Sequence, residues 1–570
     1  MSAHKKRWVV REPAPAEFLT SVRDCSPLVA TLLYQRGYRE RAAIDAFLSA
    51  DYRRGLHDPL QLKGMDVAVE RIAAAIREGE PIAVYGDFDT DGVTAVTLLM
   101  QAVTAMGGTI QPYIPHRLRE GYGLNTDAID ALADEGVRLL ITVDCGISNA
   151  HEVAHARARG VDVIVTDHHT PPETLPNAVA VINPKQPGCP YPFKDLVGVG
   201  IAYKLVLALV RRGLPMPLRG RDMLDVVALG TVADMGPLTG ENRVLVKAGL
   251  ESINETKRPG LRALIQASGV QLGRVSAADI GYMLAPRLNA AGRLDDAVRA
   301  YQLLLAEDAA AAQVLAAELN QANRRRQDLT KEIQQAARAH AEGLGKLNRR
   351  IVFLESPEYQ AGLVGLVASR LVEDLGRPVL LVERGERTSR GSARSVPGFS
   401  MVEALAHSAD LLVRYGGHSA AAGFTVETDR LQDLEERLLA YAEERLPDEL
   451  LAPALDIHAE TPLSSISWDL LEQLSVLEPF GQANPQPVLM SSRVRVAGAW
   501  ARGNEGQHLK LRLDDGRGGP PVDAMAFRLG HFVEYLQKPR FIDVAYTLGR
   551  NDWNGSSTLQ LNVKDFRSSK

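Results

Sequence analysis

Short apolar runs alternate with stretches of helical periodicity through the first half of the chain. Ile82-Ala83-Val84, Ile110 to Ile114, Leu139 to Val143 and Val161 to Thr166 read as buried strands. Between them, Val93 to Ala105, a segment capped by Asn125 and running to about Glu135, and Ala150 to Arg159 carry helical spacing. The amphipathic stretch Gly64 to Glu78 precedes the first strand. Strand and helix alternate throughout, which predicts an α/β fold with a doubly wound, mostly parallel sheet. Helical patterns continue over Val197 to Arg212 and Arg221 to Gly230. The proline-free stretch Leu294 to Leu344, rich in Ala, Gln and Glu, predicts a helix and then a long linker helix.

The α/β pattern then returns on a smaller scale. Ile351 to Leu354 and Val379 to Val382 flank a helix at Gly362 to Asp374, and Leu431 to Leu446 is amphipathic. From about Leu455 the character changes. Val494 to Ala499, Leu509 to Leu513, Val522 to Phe527, Ile542 to Leu548 and Leu559 to Val563 are short strands, separated by turns such as Asp514-Asp515-Gly516 and Asn554-Gly555. Such a run predicts a small all-β barrel. The expected partition is an N-terminal helical segment over 1–60, a large α/β domain over 61–300, a linker helix over 301–345, a smaller α/β domain over 346–450 and the barrel over 451–570.

Composition narrows the class. A chain of 570 residues is too long for one ordinary core. Hydrophobic content of 45% and charged content of 24% are those of a globular, soluble protein. The three cysteines, Cys25, Cys145 and Cys189, form no CxxC pair, which argues against a disulfide framework or thiolate zinc site and fits a reducing cytoplasm. Lys5, Lys6 and Arg7 are not followed by an apolar segment, so no secretory signal is expected, and no apolar run reaches membrane-spanning length. With a formal net charge of −5, any nucleic-acid binding must rest on local basic patches.

The candidate chemistry sits at strand ends. Asp87, Asp89 and Asp91 follow the first strand, Asp144 ends another, and Asp167-His168-His169 ends a third. Open α/β sheets gather these ends at one crevice. Carboxylates that close repel one another unless a cation lies among them, so the pattern points to a divalent-metal site; an acidic turn is the plainer alternative for the first cluster alone. Asp234, in Gly230 to Leu238, is either a helix-end cap or another ligand. Arg324, Arg325, Arg326, Lys331 and Arg338 on the linker helix read as a solvated face, with a phosphate track as the alternative. Gly391 to Ser395 and Gly416 to Phe424 are glycine-rich, suited to gripping an anion or simply to turning between strands. Arg493, Arg495, Lys510, Arg512, Arg528, Arg540 and Arg550 interleave in the barrel with Trp500, Phe527, Tyr546 and Trp553. A basic-aromatic barrel face suits single-stranded nucleic acid, although the aromatics could equally be core.

Together these motifs resemble the DHH phosphoesterase superfamily and, within it, the bacterial RecJ family of single-strand-specific exonucleases. The matching pieces are Asp87-Phe88-Asp89-Thr90-Asp91-Gly92, Arg119-Glu120-Gly121-Tyr122-Gly123, Asp144 to Ser148, Thr166-Asp167-His168-His169, Ala233-Asp234, Pro286 to Arg293 and Gly416-Gly417-His418. Their order is more specific than any one of them, and the likeness covers nearly all of the chain after about residue 60. The resemblance implies a DHH domain, a DHHA1 domain joined by a long helix, and a C-terminal OB-fold. It implies metal ligation by Asp89, Asp91, Asp144, His168 and Asp234, with Asp87 and His169 beside them. One or two Mn²⁺ or Mg²⁺ ions are expected, with Asp144 as bridge. His169, Arg287 and Asn289 would hold the scissile phosphate. Arg117, Ser392 and Arg394 would hold the 5′-terminal phosphate, with Gly417 and His418 in the substrate-binding loop. Tyr85 stands where pyrophosphatase-like relatives carry a histidine, which leaves one metal site short of a ligand that Asp87 could supply.

The activity implied is 5′→3′ exonuclease action on single-stranded DNA, releasing nucleoside 5′-monophosphates in recombination and repair. The alternative is a hydrolase of short oligoribonucleotides or cyclic dinucleotides, against which the barrel argues. A non-catalytic scaffold would have lost acids that are present here. Single-strand-binding protein and a helicase are the implied partners of a monomeric, cytoplasmic enzyme.

Overall fold

The computed structural model describes residues 6–117, 119–216, 220–294, 296–451, 453–516, 520–537, 540–553 and 556–569. The turn expected at Asn554-Gly555 lies outside them, as does the side chain of Trp553. The chain forms two units: Met1–Ile44 with Leu329–Glu478 and Gln486–Lys570, and Asp45–Asp328 with Pro479–Pro485.

The second of these units holds a five-stranded, all-parallel sheet in the order Ile110–Tyr113, Ile82–Gly86, Leu139–Val143, Asp162–Thr166, Ala180–Ile182. The strands Ile82–Gly86 and Leu139–Val143 are buried along their whole length, as expected where helices cover both faces. Strand order reverses between them, and such a switch point opens a crevice at the carboxyl edge. Register does the rest. Gly86 pairs with Val143, and Val143 with Thr166, so Asp87, Asp144 and Asp167 emerge side by side.

The helix Thr90–Ala105 starts three residues before the sequence pattern suggested, because Asp89 caps it: its Oδ1 accepts from the amides of Asp91 (2.9 Å) and Gly92 (3.1 Å). Gly92 is required by a close approach, since a Cβ there would lie 2.5 Å from the Asp87 carbonyl oxygen. Asn125 caps Thr126–Asp134, as its position predicts. The long helix is Ala309–Gly343, preceded by Val298–Leu305. Arg324, Arg325, Lys331 and Arg338 are exposed on it, the solvated face the sequence favoured.

The other unit contains two sheets. One runs Leu412–Gly417, Ala421–Glu427, Thr388–Arg394, Val379–Glu383, Val352–Ser356, with only the last pair parallel. The other is the barrel, in which Leu489–Arg502, His508–Asp514, Val522–Ala526, Ser556–Ser568 and Phe541–Trp553 pair in turn and Leu489–Arg502 pairs again with Phe541–Trp553 to close it. The N-terminal segment is not purely helical. Arg7–Val10 is a strand that pairs in parallel with Ala454–Ile457, and Trp8 Nε1 donates to Asp565. Among the described residues no helix is long and apolar enough to cross a membrane.

Candidate active site

The acids at the sheet edge converge. Among the described residues, three sets of potential ligand atoms each fall within 4.8 Å of one another: Asp87, Asp89 and Asp144; Asp144, His168 and His169; Asp91, His168 and Asp234. Asp144 and His168 each belong to two sets. His168 Nε2 lies 2.9 Å from Asp144 Oδ1, 3.7 Å from Asp234 and 4.0 Å from Asp91.

The backbone fixes these groups in place. Asp144 has a φ of 60°, a left-handed conformation that a non-glycine residue keeps only when its surroundings impose it. Asp91 is gripped by the first turn of the helix Gly198–Arg211: the amides of Gly198 and Val199 donate to its two oxygens at 2.6 and 2.8 Å. A side chain at Gly198 would strike Asp144 Cβ at 2.6 Å. Asp167, fully buried, accepts from the amides of His168, His169 and Ile147 and from His169 Nδ1 (2.7 Å). Burial alone would raise its pKa, but the bond and charge of His169 hold it below the usual range. Burial lowers the pKa of His169, but the bond and charge of Asp167, with the charges of Asp87 and Asp89, leave it raised, and the carboxylate 2.7 Å from Nδ1 calls for a proton on that nitrogen. Lys185 and Asn183 fix the carbonyls of His168 and His169 at 2.7 and 2.9 Å.

Electrostatically the cluster is unbalanced. Burial and then the charge of Asp89 raise Asp87 well above its ordinary value and Asp91 to about 7. Burial and then Asp91 push Asp144 strongly upward and Asp234 to about 9. Asp87 Oδ1 is a buried oxygen that accepts no hydrogen bond, and Asp144 Oδ1 faces His168 Nε2 at 2.9 Å without hydrogen-bond geometry. Such carboxylate oxygens in a mutually repelling set, with imidazole and no thiolate among them, fit a hard divalent cation.

Other predicted residues are placed less uniformly. Asn289 Oδ1 accepts from both the amide and the hydroxyl of Thr90 at 2.8 Å, which brings it to the cluster. Arg287, two positions away on the same helix, is held elsewhere: Nε donates to Asn320 (3.0 Å) and Nη1 to the Met283 carbonyl (2.5 Å). Arg117 lies over the Phe88 ring at 4.7 Å, in the electrostatic range of Asp87 and Asp89. Tyr85 does not face the acids; it is buried in a separate apolar cluster, with its hydroxyl on the Gly123 carbonyl (2.9 Å).

In the other unit, Ser392 and Arg394 share one face of Thr388–Arg394, next to Gly365 of the helix Ala361–Leu375. Gly417 ends the outermost strand of that sheet, and the His418 amide closes a tight turn onto Ala421 (2.8 Å). The barrel's aromatics divide. Trp500 and Phe527 are exposed, whereas Tyr546 is core, with its hydroxyl 2.9 Å from Ser491. Several barrel cations already have local partners: Arg495 with Asp514, Lys510 and Arg512 with Asp523, Arg550 with Asp552.

Sequence reasoning missed Gly198, Val199, Lys185 and the roles of Asp167 and Tyr122. Gly198-Val199-Gly200 opening a helix was a usable sign of amides aimed at an anion. Tyr122, in the run Arg119 to Gly123, donates its hydroxyl to the Asp144 carbonyl (3.2 Å), and that hydroxyl lies 3.1 Å from His169 Nδ1.

Comparison with known proteins identifies the domains that carry this site. The DHH family N-terminal domain matches residues 81–231, the DHHA1 domain 348–444 and the RecJ OB domain 457–565. The single-stranded-DNA-specific exonuclease RecJ of Bacillus subtilis (strain 168) is 36% identical over 572 residues, 99% of this chain and 71% of that protein. The chain belongs to the RecJ family. Crystal structures of RecJ from Thermus thermophilus agree: the Mn²⁺ complex has a TM-score of 0.83 at 34% identity, covering 99% of this chain and 80% of that one. The Mg²⁺ complex has a TM-score of 0.75 at 32% identity, covering 99% and 79%. Membership of the RecJ family, with its own OB domain matched at the C-terminus, does not favour a dinucleotide hydrolase.

Proposed function

We propose that this chain is a metal-dependent 5′→3′ exonuclease on single-stranded DNA, releasing nucleoside 5′-monophosphates in cytoplasmic DNA recombination and repair. The observation that carries the reading is Asp144, a buried carboxylate with His168 Nε2 2.9 Å from its Oδ1, common to a carboxylate set and an imidazole set of ligands. Asp89, Asp91, Asp144, His168 and Asp234 would hold Mn²⁺ or Mg²⁺, with Asp87 completing the set around Asp89. When bound, the cation supplies Lewis-acid charge to a phosphodiester and makes water acidic enough to attack near neutral pH.

The side chains do the remaining work. His169, with its Nδ1 proton committed to Asp167, offers Nε2 to the scissile phosphate. Asn289 commits Oδ1 to Thr90 and keeps Nδ2 as a donor. Arg287 would reach the phosphate by exchanging its bond to Asn320. Ser392 and Arg394 would grip a 5′-terminal phosphate, with Gly417 and His418 lining the approach, and Arg117 would contact a substrate phosphate beside Asp87 and Asp89. A serine hydroxyl and a guanidinium fork suit the extra charge that distinguishes a phosphorylated end. Single-strand-binding protein and a helicase are the expected partners of the monomer.

Digestion of 5′-labelled and 3′-labelled oligonucleotides, single and double stranded, with Mn²⁺ tests the reading. Early release of labelled mononucleotide from the 5′-labelled single strand is expected; early release from the 3′ label, or short oligonucleotide products, contradicts it.

A further inference from the structure

Pro479–Pro485 groups with the catalytic unit, although the residues on both sides of it belong to the other unit. This turn is built to hold its shape. The Gly481 amide donates to Asn484 O (2.9 Å), the Asn484 amide returns to Gly481 O (3.2 Å), and buried Asn484 Nδ2 reaches Pro479 O (2.9 Å). Ala483 takes a left-handed φ of 59°.

What the turn touches is the loop that follows Asp234. That loop leaves the helix Leu224–Ala233 through a tight stop: the Asp234 amide donates to Gly230 O (2.9 Å), Met235 to Val232 O (3.1 Å) and Gly236 to Thr231 O (3.0 Å). Met235, next to the ligand, is left-handed at φ 58° and 67% exposed, so its own side chain has no packing that would hold it there. Such a conformation is costly for a non-glycine residue and persists only where the neighbours impose it. The near pins are those helix-end bonds. The far pin is Leu238, which is buried, and its amide donates to the Gln482 carbonyl at 2.8 Å. Gly481 lies so close that a Cβ there would meet Leu238 Cδ1 at 2.6 Å. Arg243, buried, ties the same turn down by reaching Pro479 O (3.4 Å) while its Nε holds Phe47 O (2.9 Å).

We infer that the Pro479–Pro485 turn is a positioning element for Asp234: by accepting from the Leu238 amide and packing under its side chain, it holds the strained loop that presents this carboxylate to the metal site. Without it, a buried amide loses its acceptor and Met235 is released toward an ordinary conformation, which carries Asp234 with it. The inference rests on the reading of Asp234 as a metal ligand.

The test uses the full-length protein and Mn²⁺ alone, with bound ion counted by electron paramagnetic resonance and affinity read by calorimetry. Asp234→Asn checks the ligand assignment and should weaken one Mn²⁺ by about 10-fold or more, the loss expected when a buried charge-assisted contact is removed. Gly481→Val should weaken the same ion, Gly481→Ala should do so to a smaller degree, and adding Leu238→Ala to Gly481→Val should restore part of the affinity by making room. Gln482→Ala should match wild type, because the contact is through the carbonyl. Circular dichroism melts accompany each, so that a collapsed Gly481→Val is replaced by the milder Gly481→Ala. Unchanged Mn²⁺ binding in Asp234→Asn would remove the ligand reading itself. Weakened binding in Asp234→Asn with wild-type binding in a folded Gly481→Ala and Gly481→Val would overturn the positioning role alone.

Discussion

Asp167 Oδ1 accepts a 2.7 Å hydrogen bond from His169 Nδ1, and the same buried carboxylate accepts the amides of both residues that follow it. One side chain therefore sets the backbone of the His-His pair and the tautomer of its second ring. Asp167→Asn keeps the shape but presents an amide where a proton must be accepted. We expect kcat to fall by about 10²-fold or more, with Mn²⁺ stoichiometry kept, because the proton would move to the nitrogen needed by substrate. Steady-state kinetics and Mn²⁺ titration of the same preparation decide it; wild-type kcat would remove the tautomer argument.

Arg394 is expected to read the end of the strand. Arg394→Ala should lose about 1.5–3 kcal/mol on 5′-phosphorylated single strands, the size of a charge-assisted contact, and far less on 5′-hydroxyl strands. Comparing kcat/KM on the two substrates checks this, and equal losses would assign the residue another task.

Much of this was legible in the sequence because it is local. Acids that directly follow apolar runs must emerge at a strand end, and parallel pairing then aligns them, so the cluster of Asp87, Asp144 and His168 follows from pattern alone. Asn125 was readable for the same reason. What escaped depends on residues far apart in sequence. Nothing in Arg7 to Val10 announces Ala454–Ile457 as its partner, and nothing in Pro479–Pro485 announces Leu238. Tyr546, left open between the binding face and the core, was readable as core: it follows the buried Ile542 and Val544 at every second position, which marks an inward row. A cut near residue 455 would remove Pro479–Pro485 along with the barrel, so slowed chemistry would not report on the barrel alone.

The barrel is better tested by side chain. Trp500 and Phe527 are exposed and available for base stacking, worth about 1–3 kcal/mol per base. Trp500→Ala and Phe527→Ala should each weaken single-strand affinity about 10-fold while leaving kcat at saturating DNA. Fluorescence anisotropy at fixed salt measures it, and unchanged affinity in the double variant would make this face structural.

His458 links the barrel's entry strand to pH. Burial, then the charges of Arg36 and Arg11, lower its pKa from 6.5 to about 4, and its Nδ1 accepts from the Val488 amide at 3.1 Å. The folded protein keeps it neutral while the unfolded chain takes up a proton, so its contribution is complete above pH 6.5 and fades as pH falls toward 4. Up to about 3 kcal/mol is at stake. Urea midpoints should drop across that window in wild type and drop less in His458→Gln; parallel pH profiles would contradict this.

Asp144 is the residue on which the metal site turns, because two ligand sets share it. The decisive measurement pairs Mn²⁺ binding with single-strand digestion in Asp144→Ala, with the fold checked by circular dichroism. The expected result is a folded protein in which the shared site is disrupted, Mn²⁺ binding is strongly weakened and digestion falls at least about 10³-fold. A folded Asp144→Ala protein that binds Mn²⁺ and degrades single strands like wild type would contradict it.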